Sequence, residues 1–327
     1  MKNRDLKRFA LIVCVAAVML AGCGGLQPPI GAPGAMPQSS TTATRDDHSK
    51  SWMLPEAKPE DLLYVADSQN SNVRVYSYPK GTLVGTLSGV YGAWAACADK
   101  KGDVFFSTSV GYNPEILEYK HGGKNPIAML EDGASAYFPY DCSVDPSTGN
   151  LAVANAQGYY GESWGNVAIY AGAQGSPTFV SDNRIPYPLS CAYDDKGNLY
   201  VEGSDSSRRF KFAVMKHTKQ SFKSFKLNTE LCCVPGPVIW NNDRLDVAAG
   251  LSIYEFKIKG RSGRETMTVQ ISAPGVNRMT INRGTLVGSG YDSAAVYLWH
   301  YPSGGNPYET ITQGLNMPEG VVVSPAR

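Results

Sequence analysis

The stretch Asp141-Cys142-Ser143-Val144-Asp145, followed by Gly149-Asn150-Leu151-Ala152-Val153-Ala154-Asn155, decides the fold. Two short runs of small and apolar residues flank a turn that carries Asp and Gly, the pattern of two strands joined by a hairpin. The same unit returns as Ser190-Cys191-Ala192-Tyr193-Asp194 through Gly197-Asn198-Leu199-Tyr200-Val201, with Asn150 and Asn198 48 residues apart. Self-similarity at such a spacing marks a repeat architecture and has to be followed before any local detail.

Working outward, the matching start of the second strand falls at Leu62, Val104, Leu151, Leu199, Leu245 and Leu286, at intervals of 42, 47, 48, 46 and 41 residues. Third strands recur at 72–76, 115–119, 166–170 and 295–299, and three of them lead through a Gly-containing hairpin to Pro126, Pro177 or Pro307. No segment after the N-terminal leader carries a sustained 3.6-residue apolar period. Four strands in each unit of 40 to 50 residues is the signature of a β-propeller. The first copy opens at Leu62-Leu63-Tyr64-Val65 with no first strand ahead of it, and the last leaves a spare one, Gly320-Val321-Val322-Val323. The expected fold is therefore all-β: a six-bladed propeller of four-stranded blades, closed by pairing the C-terminal strand with the one at Tyr64. Closure removes the free sheet edges of an open array.

These marks, an apolar-x-Asp turn, then Gly-Asn-Leu-x-Val-Ala-Asn, then Asn-x-x-x-Tyr, resemble bacterial propellers of the NHL-repeat and SMP-30/lactonase-like type. The resemblance covers residues 60–327, is good in copies one to three, and is poor in copies four and five, where Arg244-Leu245-Asp246-Val247 replaces the Gly-Asn-Leu pattern. It implies a fold and leaves function open. Lactonases of that shape hold a divalent cation such as calcium at the channel mouth, and aligning the copies puts Asp141, Ser190, Gly236, Asn277 and Gly320 at one inner level. Glu319, Asp141 and Asn277 are thus the catalytic or metal-holding candidates of a hydrolase or lyase reading. The remaining positions at that level are Gly or Ser, which leaves a calcium cage short of oxygen ligands, so the preferred expectation is no cofactor. Asp67 and Asn155 end second strands, where local Asx turns explain them.

The N-terminus reads as an export signal: Lys2, Arg4, Lys7 and Arg8, then an apolar run over residues 9–20 too short to span a bilayer. Leu20-Ala21-Gly22-Cys23 resembles the lipobox of bacterial lipoproteins, which implies cleavage after residue 22 and lipid on Cys23. Two or three acyl chains anchor stably where one does not. Gly24 is not the Asp that retains many such proteins at an inner membrane, so the outer membrane is favoured if the cell has two. Residues 23–58, rich in Pro, Gly, Ser and Thr, read as a disordered tether, and residues 59–327 as the propeller.

The signal takes four of the 30 basic residues and one of the 29 acidic ones, leaving 26 against 28. No general attraction to nucleic acid follows from that balance. Charge is distributed unevenly along the chain, however. Residues 23–205 hold 11 basic and 20 acidic residues, whereas residues 206–264 hold 12 basic and 4 acidic ones. The basic segment reads as a solvated edge or as a patch for anionic lipid headgroups or an acidic wall polymer. Cys97, Cys142, Cys191, Cys232 and Cys233 remain after export. Buried thiols are the default expectation, with a bridge from the Cys232-Cys233 pair to Cys191 as the alternative.

Loops expected on one face of the propeller collect aromatic rings. Trp94, Tyr140, Tyr159, Tyr160, Trp164 and Tyr187 are the ligand-binding candidates, together with Tyr91, Tyr112, Tyr137 and Phe138. Exposed rings beside carboxylates suit a glycan or an envelope protein; the plainer reading is that they cover the blade ends. His48, His121, His217 and His300 form no recognisable catalytic or metal grouping, and no Gly-x-Ser-x-Gly elbow or phosphate loop is present.

Overall fold

A computed structural model describes residues 50–110, 113–132, 137–158, 164–231 and 235–326. These lie within one compact unit, Asp46–Arg327. The export signal, Cys23, most of the tether, Tyr112, Tyr159, Tyr160, Cys232 and Cys233 fall outside the described residues, as does the side chain of Tyr137.

The chain is all-β and its sheets are arranged as in a propeller. The first sheet contains β1 (Trp52–Met53), β2 (Leu62–Asp67), β3 (Asn72–Ser77) and β4 (Leu83–Ser88). The second is β5 (Ala96–Ala98), β6 (Val104–Val110), β7 (Asn113–Tyr119) and β8 (Pro126–Glu131). The third is β9 (Tyr137–Val144), β10 (Leu151–Gly158), β11 (Trp164–Tyr170) and β12 (Thr178–Val180). Two further antiparallel runs follow: β13 (Tyr187–Tyr193), β14 (Leu199–Ser204), β15 (Phe210–Met215) and β16 (Lys223–Leu227); then β17 (Pro235–Asn241), β18 (Arg244–Ala249), β19 (Ser252–Lys259) and β20 (Ser262–Gln270). β16 and β20 pair in parallel at two positions, Lys226↔Ser262 and Leu227↔Gly263, which joins these runs into one eight-stranded sheet. Last come β21 (Val276–Asn282), β22 (Thr285–Gly290), β23 (Ala295–His300) and β24 (Glu309–Ile311), and finally β25 (Pro318–Ser324).

β25 lies beside β2 in the first sheet, with Tyr64 opposite Val322 and Leu62 opposite Ser324. The two ends of the repeat array are therefore hydrogen-bonded neighbours, as their strand patterns require. One expectation is corrected at this edge. The folded part starts before residue 59, because Trp52–Met53 pair with Thr86 and Gly85 of β4. Met53 and Leu54 pack on the core and Ala57 is buried. These apolar side chains bury surface that offsets the ordering entropy of the stretch.

The recurring Asp of the hairpins has a defined job. Asp99 Oδ1 accepts from the amides of Lys101 and Asp103, both at 2.8 Å, and Asp194 Oδ1 accepts from Lys196 at 2.9 Å and Asn198 at 2.8 Å. A short carboxylate thus satisfies the amides of the turn between first and second strands. Gly102, at φ +81°, completes one such turn; a Cβ there would stand 2.7 Å from the carbonyl of Pro325. Its own carbonyl accepts from Ser324 Oγ at 2.6 Å, so the hairpin also clasps the C-terminus.

Apolar faces of successive sheets pack on one another. Cys97, Phe105, Ile116 and Leu130 of the second sheet meet Leu151, Val153, Ala168 and Tyr170 of the third. Leu63, Val65 and Tyr76 meet Val287, Val296 and Leu298, with Val321 and Val323 from the C-terminal strand in the same cluster. Each fully buried aliphatic or aromatic side chain contributes about 1.5–3 kcal/mol.

Candidate functional site

The strands β5, β9, β13, β17, β21 and β25 line a cavity of about 290 Å³, whose wall includes Trp94, Asp141, Arg278 and Gly320. Adjacent innermost strands are stitched by side chains. The Val238 amide donates to Ser190 Oγ at 2.9 Å, and Ser190 Oγ donates to Asp141 Oδ2 at 2.5 Å. Asp141 also accepts from the amides of Cys142 and Cys191. Ser107 Oγ accepts from the amides of Trp94 and Ala95 and donates to the carbonyl of Pro139; Ser289 Oγ donates to the carbonyl of Glu319. Asp141 and Ser190 therefore span β9, β13 and β17, an architectural role that the inner-level alignment did not anticipate.

A disulfide between Cys97 of β5 and Cys142 of β9 ties two of these strands across 45 residues of sequence. Cys191 is a buried free thiol. This corrects the expectation of buried thiols at Cys97 and Cys142, meets it at Cys191, and removes the alternative in which Cys191 bonds to the Cys232-Cys233 pair. The positions that pair are neighbours in the ring, which strand-internal sequence spacing does not disclose.

Of the catalytic candidates, Asp141 and Glu319 both face the electrostatic reach of one residue, Arg278. Burial pushes Asp141 up despite Arg278 and its hydrogen bonds, and pushes Glu319 up to about 7 against the same cation. Glu202 of β14 belongs to this group as well; both its carboxylate oxygens are buried without a hydrogen-bond partner, and desolvation raises it well above the usual range. Asn277 does not join them. A β-bulge between Val276 and Arg278 leaves Asn277 exposed and turns Arg278 inward, opposite Ser289. An extra residue in one strand re-aims every side chain beyond it. Ala154, Glu202 and Ser289 each stand three residues after the matching leucine of a second strand, Leu151, Leu199 or Leu286, and they face Asp141, Ser190 and Arg278. The inner level thus carries Arg278 where alignment by motif placed Asn277.

Asp67 and Asn155 are corrected too. Asp67 accepts from the amides of Asn316 at 2.9 Å and Met317 at 3.0 Å, far away in sequence, as well as from Asn70. Asn155 Nδ2 donates to Asn166 Oδ1 across the β10–β11 pair. Among the described residues, no group of three or more His, Cys, Asp or Glu side chains is placed to hold a metal ion.

The aromatic candidates separate into two sets. Trp94 meets Tyr140 in a tilted contact with ring centres 5.3 Å apart and Phe138 edge-on at 6.4 Å. The Arg278 guanidinium lies 4.4 Å from the centre of the Tyr140 ring. Phe138, Tyr140 and Tyr187 line an adjoining groove of about 680 Å³ that also includes Arg208. Trp164 and Tyr91 are more than half exposed and line neither cavity. The sequence pattern missed Arg278 and Glu202; the two-versus-one count of a bulge was the missing signal for the first.

The histidines stay apart. His121 bridges Ser324 and the carbonyls of Lys58 and Glu60, while His217 lies 3.7 Å from Asp145.

No protein-family profile matches this sequence, and no curated protein matches it. Solved structures share its fold. A chain from the crystal structure of a nidogen/laminin complex superposes with a TM-score of 0.59 at 12% identity, covering 82% of this chain and 99% of that one. A functionally unknown protein from Desulfotomaculum acetoxidans gives 0.54 at 10% identity over 82% and 100%, and a protein of unknown function from Bacteroides caccae gives 0.55 at 14% over 81% and 99%. At these identities the likeness is one of fold: the chain folds as a β-propeller-like domain.

Proposed function

We propose that this protein is an exported lipoprotein, anchored to the cell envelope through lipid on Cys23, whose domain is a six-bladed propeller of the NHL-repeat type acting as a non-catalytic binding module. Its ligand is an envelope glycan or protein, taken at the axial mouth between Trp94, Tyr140 and Tyr187. The observation that carries this reading is the aromatic wall itself: the tilted Trp94–Tyr140 pair borders both the axial cavity, through Trp94, and the groove beside Tyr187, through Tyr140. Half-buried rings bordering open cavities supply apolar contact area with little entropy to lose on binding. Six blades follow if β13–β16 and β17–β20 are counted as separate units, each being an antiparallel run of four.

Titration of the protein with envelope glycan fragments tests the site. Trp94→Ala and Tyr140→Ala should each weaken binding about tenfold, the loss of one stacked ring contributing about 0.5–1.5 kcal/mol beyond its buried area; unchanged affinity in both overturns it. Fractionation of cells expressing Cys23→Ser tests the anchor, since the altered protein should leave the membrane fraction.

A hydrolase is the second reading, favoured by Glu319, whose carboxyl near neutrality beside the cavity suits general acid–base work. A calcium-dependent version fits less well. Arg278 already supplies the positive charge among Asp141, Glu202 and Glu319, and Asp141 is engaged by Ser190, Cys142 and Cys191. A melting temperature that rises by several degrees in millimolar calcium would revive it.

A further inference from the structure

Arg278 is a buried cation with little compensation. It is 9% exposed and lines the axial cavity, so what surface it retains opens there. Among the described residues its guanidinium makes no ion pair and no hydrogen bond, its Nε is buried without a partner, and it packs over the Tyr140 ring. Buried arginines are ordinarily paired, because an isolated charge loses several kcal/mol of solvation. Asp141 on β9, Glu202 on β14 and Glu319 on β25 surround it, yet none approaches within ion-pairing distance. Burial drives all three towards their neutral forms, which leaves the cation only partly offset. Asp67, the acid on β2 nearest to Glu319 in register, is already engaged by the Asn316 and Met317 amides.

We propose that Arg278 is the anchor of an oxyanion subsite at the axial mouth, which takes a sugar bearing a carboxylate or phosphate group. This rests on the binding reading above and names the ligand class for the same site. A guanidinium presents a planar fork of donors that matches either group. Trp94, in the same cavity wall, offers the ring face for the sugar body. At about 290 Å³ the cavity sits at the lower end of ligand pockets, about 300 Å³, which suits one sugar unit rather than a chain. Because Glu319 is the neighbour that changes charge near neutrality, protonating it removes a repulsion from the anion.

The experiment is calorimetric titration of the full chain carrying Cys23→Ser with glucuronate, glucose 6-phosphate, glucose and the methyl ester of glucuronate, at pH 6 and pH 8. At least one anionic sugar should bind at least tenfold tighter than glucose, and the ester should bind like glucose. Arg278→Gln should abolish that preference. With a site that must be protonated near pH 7, affinity for the anion should fall about tenfold from pH 6 to pH 8, and Glu319→Gln should flatten that dependence. Preference for glucuronate over phosphate, or the reverse, identifies the source of the oxyanion. The ester comparison stands even if Arg278→Gln fails to fold. Equal binding of charged and neutral sugars overturns the oxyanion subsite while leaving glycan binding at Trp94 intact. Binding of none of the four overturns the subsite, and the glycan-fragment titration then decides the broader reading by itself.

Discussion

The axis and the rim of this molecule are held by different physics. Around the axis, β9, β13 and β17 are joined by a relay of one amide, one hydroxyl and one carboxylate, and β5 and β9 by a disulfide. At the rim, β16 and β20 meet in a parallel pair of two residues, flanked by exposed Lys226, Lys257, Lys259, Arg261 and Arg264. None of those five makes an ion pair among the described residues. Inner strands of neighbouring sheets converge, so most polar groups buried there take a partner, Arg278 Nε and the Glu202 carboxyl being exceptions. Outer strands diverge, water solvates the charges, and the sequence there is free to be basic. Tolerance to change should therefore rise from axis to rim.

The sharpest way to break the comparison is to delete residues 318–327. That removes β25, exposes the edge of β2 and strips Val321 and Val323 from the core they share with Val287 and Leu298. Those losses are comparable to the whole stability of an ordinary domain, about 5–15 kcal/mol, and we expect no cooperative transition in thermal or denaturant melts.

Cys97→Ala with Cys142→Ala comes next. Opening a 45-residue loop should cost about 4 kcal/mol, read as a lower denaturant midpoint. An unchanged midpoint would mean that the axial tie is redundant.

Acidity should then matter in a defined direction. Burial raises Asp132 and Glu319 to about 7 and Asp246 to about 6. An acid whose folded value lies above its unfolded one leaves the native state holding more protons. Stability is thus fully present below about pH 4, where the unfolded carboxyls are also protonated, and is lost as pH rises through 6 to 7. The melting temperature should be higher at pH 5 than at pH 8; the reverse order would show that these carboxyls are not desolvated.

Ser190→Ala should cost about 1–3 kcal/mol, because it orphans the buried Val238 amide and one bond of Asp141. At the rim, Lys226→Glu should change stability by no more than about 0.5 kcal/mol. If Lys226→Glu proved as costly as Ser190→Ala, the axis–rim distinction would fail.

The hairpin signal was legible because it is local. Asp99, Asp145 and Asp194 cap turns between strands whose starts the periodic leucines had marked, and side-chain-to-amide bonds two residues long leave their trace in adjacent letters. The pairing of Tyr64 with Val322 was legible for a different reason: half a repeat at each end can only complete itself with the other. Trp94, Tyr140 and Tyr187 were found as a composition of rings, but their grouping apart from Trp164 was not.

By itself, then, the sequence determined the strand period, the turn chemistry and the meeting of the first and last repeats, all of which depend on spacing along the chain. Tertiary structure alone decided that Cys97 bonds to Cys142, that Asp141 is a structural brace, and that Arg278 rather than Asn277 faces the axis. Those outcomes depend on which strands converge and where a bulge inserts one residue, and a shift of a single position in a period-two strand reverses the direction of a side chain.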